Sequence, residues 1–132
     1  MVINDVIILK SVLKDTKIGK VSNEALRKYL KLSIALNKYN NEWEEKKKEL
    51  YKETADAKGL DLQTLTEEQN TEIFTVIAPV LNEYLGTEVT DLDTKIFSWD
   101  EICEAILNVS ENSNLTVDQK SMLTQMLCYE EL

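Results

Sequence analysis

The sequence predicts an all-α fold of four to five helices, one of them long. The 132 residues include only three Gly and one Pro, whereas an all-β fold needs a turn about every ten residues. Apolar residues recur three or four positions apart in several segments, which is the period of an amphipathic helix. Three segments also open with Ser or Thr followed three positions later by Glu or Gln, as in a capping box. The length fits a single helical domain over 1–132.

The N-terminal segment is expected to form a short helix over 5–14. Asn4 is its predicted cap, because an Asn side chain accepts hydrogen bonds from the first free N–H groups of a helix. Asp5 lies near the positive end of the helix dipole. The polar stretch 15–20 contains a Gly and is predicted to be the turn that leaves this helix.

The long helix is predicted over about 23–57, after a cap at Ser22, and would be about 50 Å long. An apolar stripe runs along this helix, and its first six members have coiled-coil-like spacing. The stripe consists of Ala25, Tyr29, Leu32, Leu36, Tyr39, Trp43 and Leu50. A second set widens the stripe in the first half, so that half is expected to be buried on a broad face: Leu26, Leu30 and Ile34. We expect the long helix to pack on the C-terminal helices.

The second half of the chain is predicted to contain shorter helices. Gly59 is placed to end the long helix with a left-handed residue. Capping boxes at Thr66, Ser98 and Thr116 predict three further helix starts, and Pro79 is expected to bend the first of these helices. The stretch 87–97 is compatible with a small β element. Other boundaries are expected at Gly86, Asn108 and a loop over 110–114.

The charge of −9 is distributed unevenly. Residues 1–58 contain 13 Lys and Arg against 9 Asp and Glu, a balance of +4, and residues 59–132 contain 2 against 15, a balance of −13. Such asymmetry indicates either an electrostatically selected partner or head-to-tail association into a homo-oligomer. Two solvated faces of different composition would give the same pattern.

The residue inventory argues against an enzyme. The chain has no His, so the commonest metal ligand and general base is absent, and three isolated Gly residues cannot build a phosphate-binding loop. Asp91 and Asp93 are conceivable oxygen ligands, but the glycine of a calcium loop is missing. Cys103 and Cys128 are expected to be reduced core residues. We therefore predict no catalytic residues, no cofactor and no metal.

Two sets of residues are predicted to bind a protein partner. The first lies where the long helix leaves its apolar stripe: Tyr39, Trp43, Lys47 and Leu50. Trp43 has two interpretations, an interface anchor or a side chain that closes the end of the core. No apolar run reaches the ~18 residues of a membrane span, so no membrane is expected among the partners.

The second set lies in the acidic half: Asp91, Asp93, Glu101 and Glu104. These carboxylates would imitate a phosphate surface and occupy a basic groove, although folding alone also accounts for them. Direct binding to nucleic acid is not expected, because Lys alternates with Glu along the long helix and the net charge is negative.

The stretches Leu81-Asn82-Glu83-Tyr84-Leu85-Gly86-Thr87-Glu88-Val89 and Asp91-Leu92-Asp93-Thr94-Lys95-Ile96, together with the order of the helices, resemble small helical proteins of tailed bacteriophages and prophages. The resemblance carries over no catalytic residues. It implies a phage origin and action in the bacterial cytoplasm. Together with the residue inventory, it predicts a non-enzymatic protein–protein interaction protein that acts through helical surfaces. The alternative is a phage-encoded inhibitor of a host defence or nucleic-acid enzyme, acting through the acidic C-terminal half.

Overall fold

The structure is a computed structural model that describes residues 1–107 and 115–131. Within them lie five α-helices: α1 (Ile3–Leu13), α2 (Asn23–Ala57), α3 (Glu67–Leu85), α4 (Trp99–Ile102) and α5 (Val117–Leu127). The short connecting turns are 3₁₀ turns at Ile18–Lys20 and Leu62–Thr64 and a π turn at Cys103–Leu107. The predicted all-α fold with one long helix is confirmed. The predicted helix end at Asn108 and the loop 110–114 lie outside the described residues.

Helix α2 has the bounds that the sequence predicts. The Ser22 hydroxyl accepts a hydrogen bond from the backbone N–H of Ala25 at 3.0 Å, which satisfies one of the free donors at the helix start. At the other end Gly59 has a φ of 67°, and the N–H of Leu60 bonds the carbonyl of Ala55 at 2.8 Å. A left-handed glycine therefore ends the helix as expected.

The three predicted capping boxes are present and start α3, α4 and α5. In each, the Ser or Thr hydroxyl accepts a hydrogen bond from the backbone N–H three residues later, and the Glu or Gln side chain there accepts one from the backbone N–H of the Ser or Thr. The pairs are Thr66 with Gln69, Ser98 with Glu101, and Thr116 with Gln119. Helix α3 continues through Pro79. The helix predicted from Ser98 to Asn108 is instead the single turn of α4 followed by the π turn.

The start of α1 differs from the prediction, because Asn4 lies inside the helix and not at its cap. The extended residue before the helix is Val2, whose N–H donates to the Asp5 carboxylate at 2.9 Å. Val2 also forms an antiparallel bridge with Glu88, and the N–H of Val89 donates to the Met1 carbonyl at 2.9 Å. This pairing with a distant segment, together with the bond to Asp5, sets the entry into α1 in place of a cap at Asn4.

No strand forms within the described part of the chain. The small β element considered for 87–97 corresponds to two isolated bridges, an antiparallel one between Val2 and Glu88 and a parallel one between Phe97 and Cys128. They hold the segment between α3 and α4 against both the start of the chain and the end of α5.

Within the described residues, the buried side chains form two clusters, and α2 contributes to both. The larger one joins α1, the first half of α2 and the segments around α4 and α5; Phe97 and Ile18 are fully buried in it. Ile18 belongs to the stretch predicted as a polar turn, and it is buried because the turn packs against α2 and the π turn. The smaller cluster joins the second half of α2 to α3: Ala55, Ile73, Ile77 and Leu81.

One prediction about α2 is wrong. Leu26, Leu30 and Ile34 are 40%, 51% and 72% exposed, although we expected them to widen the buried face. At 3.6 residues per turn, Leu26 lies about 100° around the helix from Ala25. The buried line of Ala25, Leu32 and Leu36 meets the rest of the core, and the other line of aliphatic side chains faces outward.

Candidate interaction surfaces

Trp43 lies at the junction between α2 and α3. Its ring stacks on that of Tyr84, with centroids 5.8 Å apart and an interplanar angle of 6°. The Lys47 ammonium is 5.1 Å from the centroid of the Trp43 ring and pairs with Glu44 at 3.0 Å. The half-buried indole therefore has an aromatic neighbour on one element and a cation from its own helix.

The other two predicted residues on this stretch are also half-buried. Leu50 packs against the smaller cluster, and Tyr39 packs against the larger one. Together with Trp43 and Lys47, they form the side of α2 that receives α3 and the segment after it. Their intramolecular contacts account for these side chains, and their role in binding a partner stays a prediction.

Tyr39 and Asp91 are joined by a hydrogen bond from the phenol to the carboxylate Oδ1. This bond, together with burial and the charge of Asp91, raises the pKa of Tyr39 to about 12. The same bond lowers the pKa of the Asp91 carboxyl, since an accepted hydrogen bond favours the charged form. The pair ties the segment that follows α3 to the middle of α2.

Asp91 and Asp93 lie beside a cavity of about 290 Å³ that also contacts Lys31, Leu92 and Ile96. Asp93 is exposed, and its Oδ1 accepts a hydrogen bond from the backbone N–H of Lys95 at 3.1 Å. The charge of a different α2 lysine, Lys38, contributes to lowering the pKa of Asp91.

Glu101 and Glu104 have different surroundings although they are three residues apart. The Lys28 ammonium lies 2.8 Å from Oε1 of Glu101, whose side chain is 13% exposed. Burial on its own raises the pKa of this carboxyl, but the hydrogen bonds from Lys28 and Ser98 outweigh burial and lower it. Glu104 is exposed and lines a shallow cavity of about 190 Å³ with Lys17, Lys20 and Val21. Glu101 therefore joins α4 to α2, whereas Glu104 faces solvent.

The sequence did not point to a groove between α1 and α2, which we call the basic groove. It has a volume of about 430 Å³ and contains no carboxylate among its lining residues: Ile7, Lys10, Ser11, Leu13, Lys14, Tyr29, Ser33, Leu36, Asn37 and Asn40. Two lysines without an acidic neighbour in the lining are notable in a chain of charge −9. None of the ion pairs within 1–107 and 115–131 involves Lys10 or Lys14.

The basic groove adjoins the outward-facing line of Leu26, Leu30 and Ile34, which we call the aliphatic line. Asn37 lines the groove and follows Leu30 by seven residues, which places it on the same side of α2. The spacing of four residues in the aliphatic line was visible in the sequence. Its exposure was not, because it depends on where α1 and α3 pack.

Carboxylates and thiols are the potential metal ligands of the described residues. No group of three or more His, Cys, Asp or Glu side chains in this part of the chain is arranged to hold a metal ion. Cys103 is half-buried and Cys128 is buried, and both are free thiols. Among the same residues, no helix has the length and apolar character needed to cross a membrane.

Comparison of the chain with protein-family models, with curated proteins and with solved structures gives no match.

Proposed function

We propose that this chain is a non-enzymatic protein–protein interaction protein, phage-encoded and active in the bacterial cytoplasm. Its binding surface is the aliphatic line of α2 together with the adjoining basic groove. The observation that carries this proposal is the exposure of Leu26, Leu30 and Ile34 on successive turns of one helix face.

Physical chemistry favours an interface at this face. Single exposed aliphatic residues are common on protein surfaces, but a contiguous apolar patch rimmed by polar groups is typical of an interaction site. Residues spaced by four along a helix are the anchors that one helix uses against another. Burying each of these partly exposed side chains contributes roughly 1 kcal/mol to association.

The non-enzymatic and phage components of the proposal rest on the sequence. A chain without His and without a glycine-rich phosphate loop lacks the groups most often used for acid–base and phosphoryl chemistry. The stretch 81–96 resembles small proteins of tailed phages and supports a phage origin.

The proposal is tested by capture of partners from infected and uninfected bacterial lysates with the tagged protein. In the test variant, Leu30→Asp and Ile34→Asp place charges on the aliphatic line. The matched control is Val117→Asp with Tyr129→Asp, at side chains that are 81% and 58% exposed. We expect the test variant to lose the captured proteins and the control to keep them, with both variants equally helical by circular dichroism.

Equal capture by the parent and the test variant would rule out this surface. If the parent captures nothing from either lysate at any salt concentration and also stays monomeric, the interaction function itself is wrong.

A second candidate function is inhibition of a host defence or nucleic-acid enzyme through the acidic half. It is favoured by the exposure of Asp91, Asp93 and Glu104, whereas Glu101 is held by Lys28. Reversal of Asp93 and Glu104 to Lys tests this function without breaking a side-chain ion pair of the described residues. This function is supported if the parent retains a host enzyme at low salt but not at moderate salt, and if the variant does not retain it.

A further inference from the structure

Helix α3 exposes an acidic and apolar face that the core does not use. Its inward side chains are Ile73, Ile77 and Leu81. The side chains of Val76 and Val80 are 50% and 43% exposed. The helix contains four Glu and neither Lys nor Arg, so all the charged side chains on its outer surface are acidic.

Four of these residues form one continuous ridge. Glu68, Glu72, Val76 and Val80 follow one another at intervals of four, so their side chains lie in a row along α3. All four are exposed, and neither carboxylate takes part in an ion pair within the described residues. We call this row the acidic ridge: two carboxylates followed by two valines.

The surface formed by α1 and α2 carries two pairs of residues with complementary chemistry, one pair on each helix. Lys10 and Lys14 are four residues apart on α1 and line the basic groove. Leu30 and Ile34 are four residues apart on the adjoining aliphatic line of α2. Pairs at this interval on a helix are about 6 Å apart, so the two lysines match the two glutamates in spacing, as the two valines match Leu30 and Ile34.

We propose that the occupant of this surface is a second copy of the chain, which docks its acidic ridge on the basic groove and aliphatic line of the first. The inference rests on the proposed function, because it names the partner of the same surface. Charge complementarity is what selects a second copy: the groove has lysines without carboxylates, and α3 has carboxylates without lysines. The two valines of the ridge, with Leu30 and Ile34, add apolar area to the contact.

The contact is heterologous, because the two surfaces are different. Each bound copy leaves its own basic groove free for another copy, so the association extends head to tail or closes into a ring. The exposed charges that guide it are screened as the Debye length falls from ~20 Å at ~0.02 M salt to a few Å at ~0.5 M. Self-association should therefore rise with protein concentration and weaken with salt.

A charge-swap experiment with the purified full chain tests the proposal. One variant carries Lys10→Glu and Lys14→Glu, and the other carries Glu68→Lys and Glu72→Lys. In analytical ultracentrifugation at low salt, we expect the average mass of the parent to rise with concentration from tens to hundreds of micromolar. Each variant alone should lose this dependence, because its two surfaces carry like charges.

An equimolar mixture of the two variants should regain the association. In the mixture, the unchanged ridge of the first variant meets the unchanged groove of the second. The reversed ridge of the second variant meets the reversed groove of the first. Opposite charges therefore face each other in both contacts. A control with Lys52→Glu and Lys58→Glu, two exposed residues of or next to the end of α2, changes the net charge as the first variant does. It should associate as the parent does if total charge is irrelevant.

Two results would overturn the inference. A parent that stays monomeric over the whole concentration range excludes the second copy. The proposed function survives that result if Leu30→Asp with Ile34→Asp still abolishes capture from lysate, and it fails if capture is unaffected. Association that persists in both single-side variants, or a mixture that stays monomeric, shows that copies do not meet through these surfaces.

Discussion

The hydrogen bond between Tyr39 and Asp91 joins the middle of α2 to the segment that follows α3. Its two ends are 52 residues apart in the chain, so the bond exists only when the tertiary structure is formed. The two pKa shifts have one common cause, since the bond favours the neutral phenol together with the charged carboxylate.

Replacing Asp91 by Asn should bring the pKa of Tyr39 down from about 12 towards the usual value of a tyrosine. The amide keeps the shape of the side chain but removes the negative charge and weakens the bond. Ultraviolet titration of tyrosinate above pH 9 would show one of the five tyrosines ionising earlier. Asp93→Asn is the matched control, because that carboxylate bonds a backbone N–H; an equal effect of both substitutions would contradict the assignment.

The same pair gives stability a pH dependence at both extremes. The pKa of Tyr39 is raised on folding, so its contribution is complete below pH 10 and is lost as the pH rises towards 12. The pKa of Asp91 is lowered, so its contribution is present above about pH 4 and is lost as the pH falls through the folded value. Asp91→Asn should remove both dependences.

At the scale of the elements, helix ends were the most predictable part of the fold. The capping boxes at Thr66, Ser98 and Thr116 are local interactions between a hydroxyl and a backbone N–H three residues later, so the sequence is sufficient to recognise them. The start of α1 was missed for the opposite reason. Val2 pairs with Glu88, and a contact between such distant residues leaves no local signal.

The orientation of α2 shows a second limit. Periodicity correctly predicted a helix with apolar residues on one side, but it did not decide how wide the buried side is. Leu26, Leu30 and Ile34 became exposed because the elements packed against α2 cover only the Leu32 and Leu36 side. The candidate surface was therefore predicted as core, and only the arrangement of the helices identifies it.

The two helix-ending glycines provide a matched pair of substitutions. Gly59 has a φ of 67° and Gly86 has a φ of −85°. We expect Gly59→Ala to lower the free energy of unfolding by about 1 kcal/mol, because a Cβ is strained in the left-handed region. Gly86→Ala should raise it by about 0.5 kcal/mol through the unfolded chain, since its Cβ would meet Glu83 O at an ordinary 3.5 Å. Chemical denaturation measures both, and equal changes would refute the distinction.

At the scale of the whole molecule, the two core clusters are unequal. Among the described residues, the larger contains eighteen buried residues drawn from both ends of the chain, and the smaller has four buried residues, between the second half of α2 and α3. Regions with few buried apolar contacts open at lower free energy than the rest of a structure. The end of α2 should therefore unfold locally while its first half stays folded.

Native-state hydrogen exchange tests this difference. Amides over 46–57 should exchange faster than those over 25–36. Ile77→Ala should accelerate exchange only in two regions, 46–57 and α3. A loss of about 3 kcal/mol is expected for such a truncation. Ile102→Ala, in the larger cluster, should instead accelerate exchange in both halves of α2. Uniform exchange along α2 in the parent would show that the clusters open together.

The stacking of Trp43 on Tyr84 places an optical reporter at the contact between α2 and α3, beside the smaller cluster. The other indole, Trp99, is 37% exposed at the start of α4, so Trp99→Phe leaves a chain whose tryptophan emission comes from the contact between α2 and α3 alone. The wavelength and intensity of that emission then report whether α2 and α3 are in contact, without an attached dye. Circular dichroism reports the helix content of the whole molecule.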